Sequence, residues 1–290
     1  MNKAPSPKIS YVTPVYNQVE FIEATILSVI NQNYANLEYI IVDGGSTDGT
    51  LEVIRKYEDR ITNLISEPDT GMYDALNKGF NMSSGDIMGW INSDDILLPD
   101  AFSNMARLFS DLPQVNWIQG LNGFIDLKGE VIRFQMPKKF SFINFLDGDF
   151  KWIQQESTFW RRSLYEKAGN SLNSELNLAG DFELWFRFFQ HTRLYNSNLP
   201  IGAWRKREGQ LSGIYMENYL KEASDIIDSH NIKDEMTNHL EKINYLNYCI
   251  KLLSKFKIFN LNFLIKKRHK YYNLERLEIQ YSYEKNKFIV

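Results

Sequence analysis

Two rhythms of apolar and polar positions alternate along the first third of the chain. Short apolar runs at 9–15, 37–42, 61–66 and 87–91, rich in β-branched residues and set off by polar or turn-forming ones, predict strands. Between them apolar residues return every three or four places, as at Phe21, Ile22, Ile26, Val29 and Ile30, which predicts helices there and over 51–57 and 73–82. Asn17 and Glu20 have capping-box spacing ahead of the first helix. Strand and helix in turn imply βαβ units, hence an α/β fold with a mostly parallel central sheet flanked by helices.

Past residue 98 the pattern changes. Residues 99–110 carry Ala101, Phe102, Met105, Leu108 and Phe109 on one helical face, and 115–125 and 130–134, joined through Asp126-Leu127-Lys128-Gly129, predict a β-hairpin. Residues 178–189 make a helix so apolar that Asp181 and Glu183 stand out. From Glu217 onward there is no Gly or Pro, which predicts a C-terminal helical extension. The expected organisation is a leader at 1–7, one α/β domain at 8–215 with halves at 8–98 and 99–215, and the extension at 216–290.

Composition narrows the class. A chain of 290 residues with 43% hydrophobic content can bury a large core, and a net charge of -3 with no general basic excess argues against nucleic-acid binding. The single cysteine, Cys249, excludes an internal disulfide framework, the first residues lack the apolar core of a signal peptide, and no apolar run approaches membrane-spanning length. A cytoplasmic setting is expected. The acid-free run 251–270 holds seven Lys or Arg among Leu252, Leu253, Phe256, Phe259, Phe263 and Leu264. Such a stretch can lie on the cytoplasmic face of an anionic membrane, pack on the domain, or form a homodimer contact.

Candidate chemistry gathers at the predicted strand ends: Thr13-Pro14, Asp43, Glu67-Pro68-Asp69 and Asn92-Ser93-Asp94-Asp95, which a parallel sheet brings to one rim. The last tetrapeptide has no basic neighbour and suits either a divalent ion such as Mg2+ or Mn2+, or a simple turn. Asp43 can accept hydrogen bonds from a base such as uracil or from ribose, or cap the following helix; its loop lacks the P-loop Lys-Ser/Thr ending. Further on, Gln154, Gln155 and Glu156 lie among Trp152, Phe159 and Trp160, a mixture that suits a sugar ring or a core.

Three ordered motifs, Val12-Thr13-Pro14-Val15-Tyr16-Asn17, Ile41-Val42-Asp43-Gly44-Gly45-Ser46-Thr47-Asp48-Gly49-Thr50 and Asn92-Ser93-Asp94-Asp95, resemble the nucleotide-sugar-binding half of family 2 glycosyltransferases with the GT-A (Rossmann-like) fold. The likeness covers about residues 8 to 110 and extends more loosely to about 215. It implies that Thr13, Pro14, Tyr16 and Asp43 surround the nucleoside, usually uridine, and that Asn92, Ser93 and Asp94 stand at the Asp-x-Asp motif. Asn92 replaces the first Asp, which leaves Asp94 as the metal ligand for Mn2+ or Mg2+. The segment from Asp69 to Gly79 also resembles the family, with Leu76 where an Arg often sits and Lys78 as the compensating charge.

Asp181 matches the family's catalytic base, with Gly180 in the preceding acidic place and Arg187 set to pair with a nearby acid. On residues alone Asp181 reads first as an N-cap of its helix, and it is the resemblance that points to the base. The stretch Trp204-Arg205-Lys206-Arg207 onward resembles the loop that closes over the diphosphate, and Trp152, Gln155 and Glu156 are placed against the acceptor. The resemblance implies an inverting transfer of a hexosyl or N-acetylhexosaminyl group from a nucleotide sugar, a UDP-sugar above all, to a glycan or lipid-linked acceptor in cell-surface polysaccharide synthesis. The rivals are a sugar-phosphate nucleotidyltransferase, which needs a Gly-rich loop that residues 11–17 lack, and a non-catalytic sugar- or nucleotide-binding subunit.

Overall fold

A computed structural model describes residues 6–150, 153–207, 215–230, 232–255, 261–275 and 277–290. Strands β1 (Ile9–Val15), β2 (Leu37–Asp43), β3 (Asn63–Ser66) and β4 (Ile87–Trp90) lie parallel in the order β3-β2-β1-β4. Every residue of β1 is buried, as a strand covered on both faces requires. Helices α1 (Ile22–Ile30), α2 (Thr50–Arg55) and α3 (Met72–Met82) make the crossovers. Helix α3 sits so close to β1 that a Cβ on Gly79 would come within 2.6 Å of Val12, so only glycine fits there.

The expected capping box is absent. Helix α1 starts at Ile22, and Asn17 has a left-handed backbone with φ 49°, donates its backbone N–H to Ser46 Oγ at 2.8 Å and accepts the Thr47 N–H at 2.9 Å. A tie between two loops has taken the place of a helix cap.

The sheet continues as β4-β8-β6-β9, built from β6 (Trp117–Ile125), β8 (Thr158–Arg161) and β9 (Tyr195–Arg205). Strand β8 runs antiparallel to β4 and β6, while β9 is parallel to β6. The predicted hairpin is β6 with β7 (Val131–Gln135), and the short strand β5 (Ile96–Leu97) pairs with β9. Helices α4 (Ala101–Asp111), α5 (Phe142–Leu146), α6 (Arg162–Lys167) and α7 (Gly180–Phe189) complete this part, with short 3-10 turns at Glu58–Arg60 and Gln155–Ser157. The fold is a mixed α/β sheet, mostly parallel with some antiparallel pairs, between helical layers.

Two apolar clusters face each other across it. One holds Ile9, Tyr11 and Ile41 with α1 and α4; the other holds Val12, Ile40 and Val42 with α3 and α7, the period-two division that a doubly covered strand imposes. The second cluster is aromatic: Trp185 stacks between Trp90 and Trp117, at 5.5 and 5.1 Å, with Trp160 edge-on. Phe159 and Trp160 are therefore core, not sugar platforms.

The chain after 215 corrects the expectation of a purely helical extension. Helices α8 (Met216–Ser229), α9 (Ile232–Ser254) and α10 (Asn262–Tyr271) are followed by β10 (Glu278–Ser282) and β11 (Lys287–Ile289). Strand β10 joins the central sheet parallel to β9, and Arg107 of α4 donates to Tyr281 Oη at 2.6 Å and to the Asn286 carbonyl at 2.7 Å. Ala223, Ile226, Ile227, Ile243 and Tyr272 enter the aromatic cluster. The basic run 251–270 spans the end of α9 and most of α10; Phe256 and Phe259 lie outside the described residues. Among the described residues no helix is long and apolar enough to cross a membrane.

Candidate active site

A cavity of about 1030 Å³ opens at the carboxyl ends of β1 and β4. In this order β2 and β3 fan out on one side of β1 and β4 on the other, so the cavity occupies the switch point where open α/β sheets bind ligands. Its size is at the upper end of ordinary small-molecule sites, which run to about 1,000 Å³.

Most residues singled out in the sequence meet there. Pro14, Tyr16, Asp69, Asn92, Ser93, Asp94, Gln155, Glu156, Asp181, Lys206 and Arg207 all line it. Tyr16 is 60% exposed at the rim. Asp69 accepts the Gly71 N–H at 2.9 Å, and its other oxygen crowds Gly44, where a Cβ would lie 2.5 Å from it. Trp152 lies outside the described residues.

Four expected contacts are not on the wall. Thr13 is buried on the far side of β1, its hydroxyl 3.1 Å from the Tyr39 hydroxyl. Asp43 is also buried; its carboxylate accepts the Ser46 N–H at 3.2 Å and the Ser66 hydroxyl at 2.7 Å, so it shapes the Gly44–Gly45 turn from beneath. Lys78 is held at 2.9 Å by Glu67 and 3.6 Å by Asp74, away from the cavity. Arg205 ends β9 with its side chain buried, donating to the carbonyls of Asp94 at 2.6 Å and of Asp126 and Leu127 at 2.9 Å. It braces the acidic turn from within the sheet, because β9 runs through Arg205 and pairs it with Ile125 of β6.

The stretch Asn92-Ser93-Asp94-Asp95 forms the turn that is one of its two expected meanings. The Thr25 hydroxyl donates to the carbonyls of Ser93 at 3.0 Å and Asp95 at 2.7 Å, and Asp95 Oδ1 accepts the Arg205 N–H at 2.8 Å, so α1 and β9 fix the turn. That turn presents Asp94 to the cavity, where Arg207 Nε donates to it at 2.8 Å. Asp95, the last acid of that stretch and the one given no role of its own from the sequence, is fully buried, and burial followed by the charges of Asp94 and Glu156 raises its pKa well above the usual carboxylate range.

The metal expectation can be tested on this donor set. Among the described residues no three His, Cys, Asp or Glu side chains converge on one point. Magnesium and manganese, however, often take only one or two protein carboxylates and complete their shell with substrate phosphates. Asp94 supplies one carboxylate, and beside it Asn92 Oδ1 is a buried oxygen with no hydrogen-bond partner among the described residues. The residues fit an ion held jointly with a diphosphate.

The opposite wall comes from the second half. Glu156 is buried with Oε1 unpartnered among the described residues; burial, opposed by local hydrogen bonds and reinforced by Asp94 and Asp181, pushes its pKa up to about 8. The neighbouring Gln155 amide has no partner among the described residues on either atom. Asp181, in the first turn of α7, is pushed up to about 6 by burial, against the Phe182 N–H that donates to it at 2.7 Å. A side chain at Gly180 would collide with Tyr73, whose ring lies 2.6 Å from where a Cβ would be. Arg187 makes the structural pair expected of it, bidentate to Glu183 at 2.7 Å on both nitrogens. Met216 and Tyr219 of α8 also reach the wall, a contribution with no signal in the sequence.

This arrangement is that of a GT-A glycosyltransferase. A family model described as Glycosyl transferase family 2 matches residues 10–170, more than half of the chain, and the protein belongs to that family. An uncharacterized glycosyltransferase of Mycobacterium tuberculosis is 30% identical over 186 residues, covering 63% of this chain and 69% of the relative. One from Haemophilus influenzae is 25% identical over 271 residues, covering 88% and 81%. Among solved structures, S. aureus TarS 1-349 in complex with UDP-GlcNAc is similar with TM-score 0.61 at 18% identity, over 76% of this chain and 65% of that one. The mannosyltransferase PcManGT from Pyrobaculum calidifontis, in complex with GDP-Man and Mn2+, has TM-score 0.57 at 15% identity over 93% and 86%. The chain spans 37% of the longer TarS structure.

Proposed function

We propose that this glycosyltransferase is inverting and moves a hexosyl or N-acetylhexosaminyl group from a nucleotide sugar, a UDP-sugar in the first instance, to a hydroxyl of a glycan or lipid-linked acceptor in cell-surface polysaccharide synthesis. The observation that carries the reading is a single cavity lined both by the acidic turn at Asp94 and by Asp181, whose pKa of about 6 suits a base working near neutral pH.

In this reading residues 8–98 hold the donor and residues 99–215 the acceptor. An acceptor hydroxyl gives its proton to Asp181 as its oxygen attacks the anomeric carbon; the bond from that carbon to the diphosphate oxygen breaks, and the configuration inverts. Lys206 and Arg207 bring positive charge to the departing diphosphate. A divalent ion, Mn2+ or Mg2+, held by Asp94 and Asn92 with the donor phosphates, would offset the same charge when bound. Pro14 and Tyr16 bound the nucleoside, with Asp43 acting through its turn. Gln155 and Glu156, on the wall between the two acids, face the acceptor or the transferred sugar.

Donor identity is tested by thermal shift and slow hydrolysis with UDP-glucose, UDP-N-acetylglucosamine and GDP-mannose, each with and without Mn2+. A true donor stabilises the fold by mass action, by about 2.7 kcal/mol at a hundred times its Kd. Failure of every nucleotide sugar to stabilise or react would remove the reading.

A peripheral position on the cytoplasmic face of the membrane is a separate proposal, supported by α10, where Phe263 is 74% exposed beside exposed Lys266, Lys267 and Lys270. Co-sedimentation with anionic and with neutral vesicles tests it; equal binding to both, or none to either, discards it.

A further inference from the structure

We infer that Glu222, on the tail helix α8, is a positioning residue for Asp181, which makes the tail part of the catalytic machinery; this rests on the reading of Asp181 as the base. The family match ends at residue 170, well short of α8.

Helix α7 begins abruptly. Its N-cap position is Ala179, which has no side-chain acceptor to offer the amides at this end. The acceptor arrives from elsewhere in the chain: one oxygen of Glu222, Oε2, takes the N–H of Leu178 at 3.0 Å and of Ala179 at 2.9 Å. The other side of the same peptide unit is held as well, because the Tyr73 hydroxyl donates to the Leu178 carbonyl at 2.9 Å. Gly180 then lies flat against the Tyr73 ring. On the far side of Asp181, the Phe182 ring stacks on Phe145 at 4.4 Å and meets the edge of Tyr219 at 6.4 Å.

Asp181 thus sits between neighbours that are pinned on both sides, and two of the pins, Glu222 and Tyr219, come from α8. Residues 219 and 222 are three apart, so they share a helix face, and the face that presents Tyr219 to the cavity also delivers the carboxylate to the turn. Hydrogen bonds from two amides to one charged oxygen are strong and directional, and a misplacement of about 1 Å in a reacting group can cost about 100-fold in rate. Without Glu222 the two amides lose their acceptor and the turn that aims Asp181 relaxes.

The test uses full-length wild type, E222A, E222D, E222Q and, as reference, D181N. Hydrolysis of UDP-N-acetylglucosamine, UDP-glucose and GDP-mannose in Mn2+ is followed beside amide hydrogen exchange over residues 177–183. E222A should lower kcat about 10- to 100-fold with donor KM within about threefold, and should speed exchange at 178 and 179 about tenfold or more. E222D, one methylene shorter, should lie between E222A and wild type and keeps the question answerable if E222A does not fold. E222Q should recover most of the loss, since its amide oxygen can accept the same two N–H groups.

Exchange at 178 and 179 unchanged in both E222A and E222D overturns the inference, with or without measurable turnover. So does a kcat within threefold of wild type in a folded E222A, or an E222Q as impaired as E222A. If D181N alone keeps wild-type turnover, the base assignment fails instead, and the exchange data still decide whether Glu222 holds the turn.

Discussion

The acidic turn after β4 and the acidic turn that opens α7 face the same cavity but are held in opposite ways. Asp94 stands on a strand end, in a turn whose own sequence is turn-forming, and it is met by a cation, Arg207 at 2.8 Å. Asp181 stands on a helix start with no cap of its own, held through contacts to Tyr73, Tyr219 and Glu222, and burial rather than a partner sets its proton affinity. The first carboxylate is paired with positive charge. The second is arranged to take a proton. In the proposed inverting reaction the first wall meets the anionic leaving group and the second activates the nucleophile.

The sharpest way to break this comparison is D181N, which should keep donor affinity and lose turnover by about 100-fold or more, because the amide cannot accept the proton. Calorimetry and steady-state rates on the same preparation separate the two quantities; turnover within a few-fold of wild type would reduce Asp181 to a helix-end residue.

A smaller effect is expected at the other wall. D94A should weaken UDP binding about tenfold in Mn2+ and much less without it, since the carboxylate acts on the diphosphate end. D43A should instead weaken uridine itself, and only several-fold, because Asp43 touches the turn and not the cavity. Titrations with uridine and UDP, each with and without Mn2+, read the difference, and identical losses in the two variants would erase the division of roles.

The proton affinities sharpen the comparison further. Only ionised Asp181 can act as base, so turnover should rise with pH through about 6. Glu156 adds a stability effect of the opposite slope. Its pKa is raised from 4.5 to about 8, so the folded state binds more protons than the unfolded chain between those values. Stability is therefore full below about 4.5 and falls as pH rises through about 8. E156Q should flatten this slope and raise Tm by a few degrees at pH 8, where about 1 kcal/mol shifts Tm by roughly 2–4 °C in a chain of this size class. A melt series from pH 5 to pH 9 that shows the same slope in both proteins would place the burial cost elsewhere.

Much of the cavity rim was legible. Pro14 lies near the end of one apolar run and Tyr16, Asp69, Asn92 and Asp94 follow such runs, and both the run and the turn after it are properties of neighbouring residues. Thr13 and Asp43 were misread in direction, since an apolar run buried on both faces has no polar alternation to say which way each side chain points. The hairpin β10 with β11 was hidden for a different reason. Ile279 and Tyr281 alternate as a strand should, but the turn uses Asn286 at φ 49° instead of the Gly or Pro that would have flagged it.

The sequence by itself determined the alternation of strands and helices in the first third of the chain, the rim on which acids collect and the family to which the chain belongs, because hydrophobic period and turn chemistry are local. Tertiary structure decided which polar side chains see the cavity, that Arg205 is buried as a brace for the acidic turn, and that burial raises the proton affinity of Glu156 and Asp181. Those outcomes depend on what packs above a residue. For Asp181 the covering groups are supplied from as far away as residues 73 and 222, a distance that no local pattern spans.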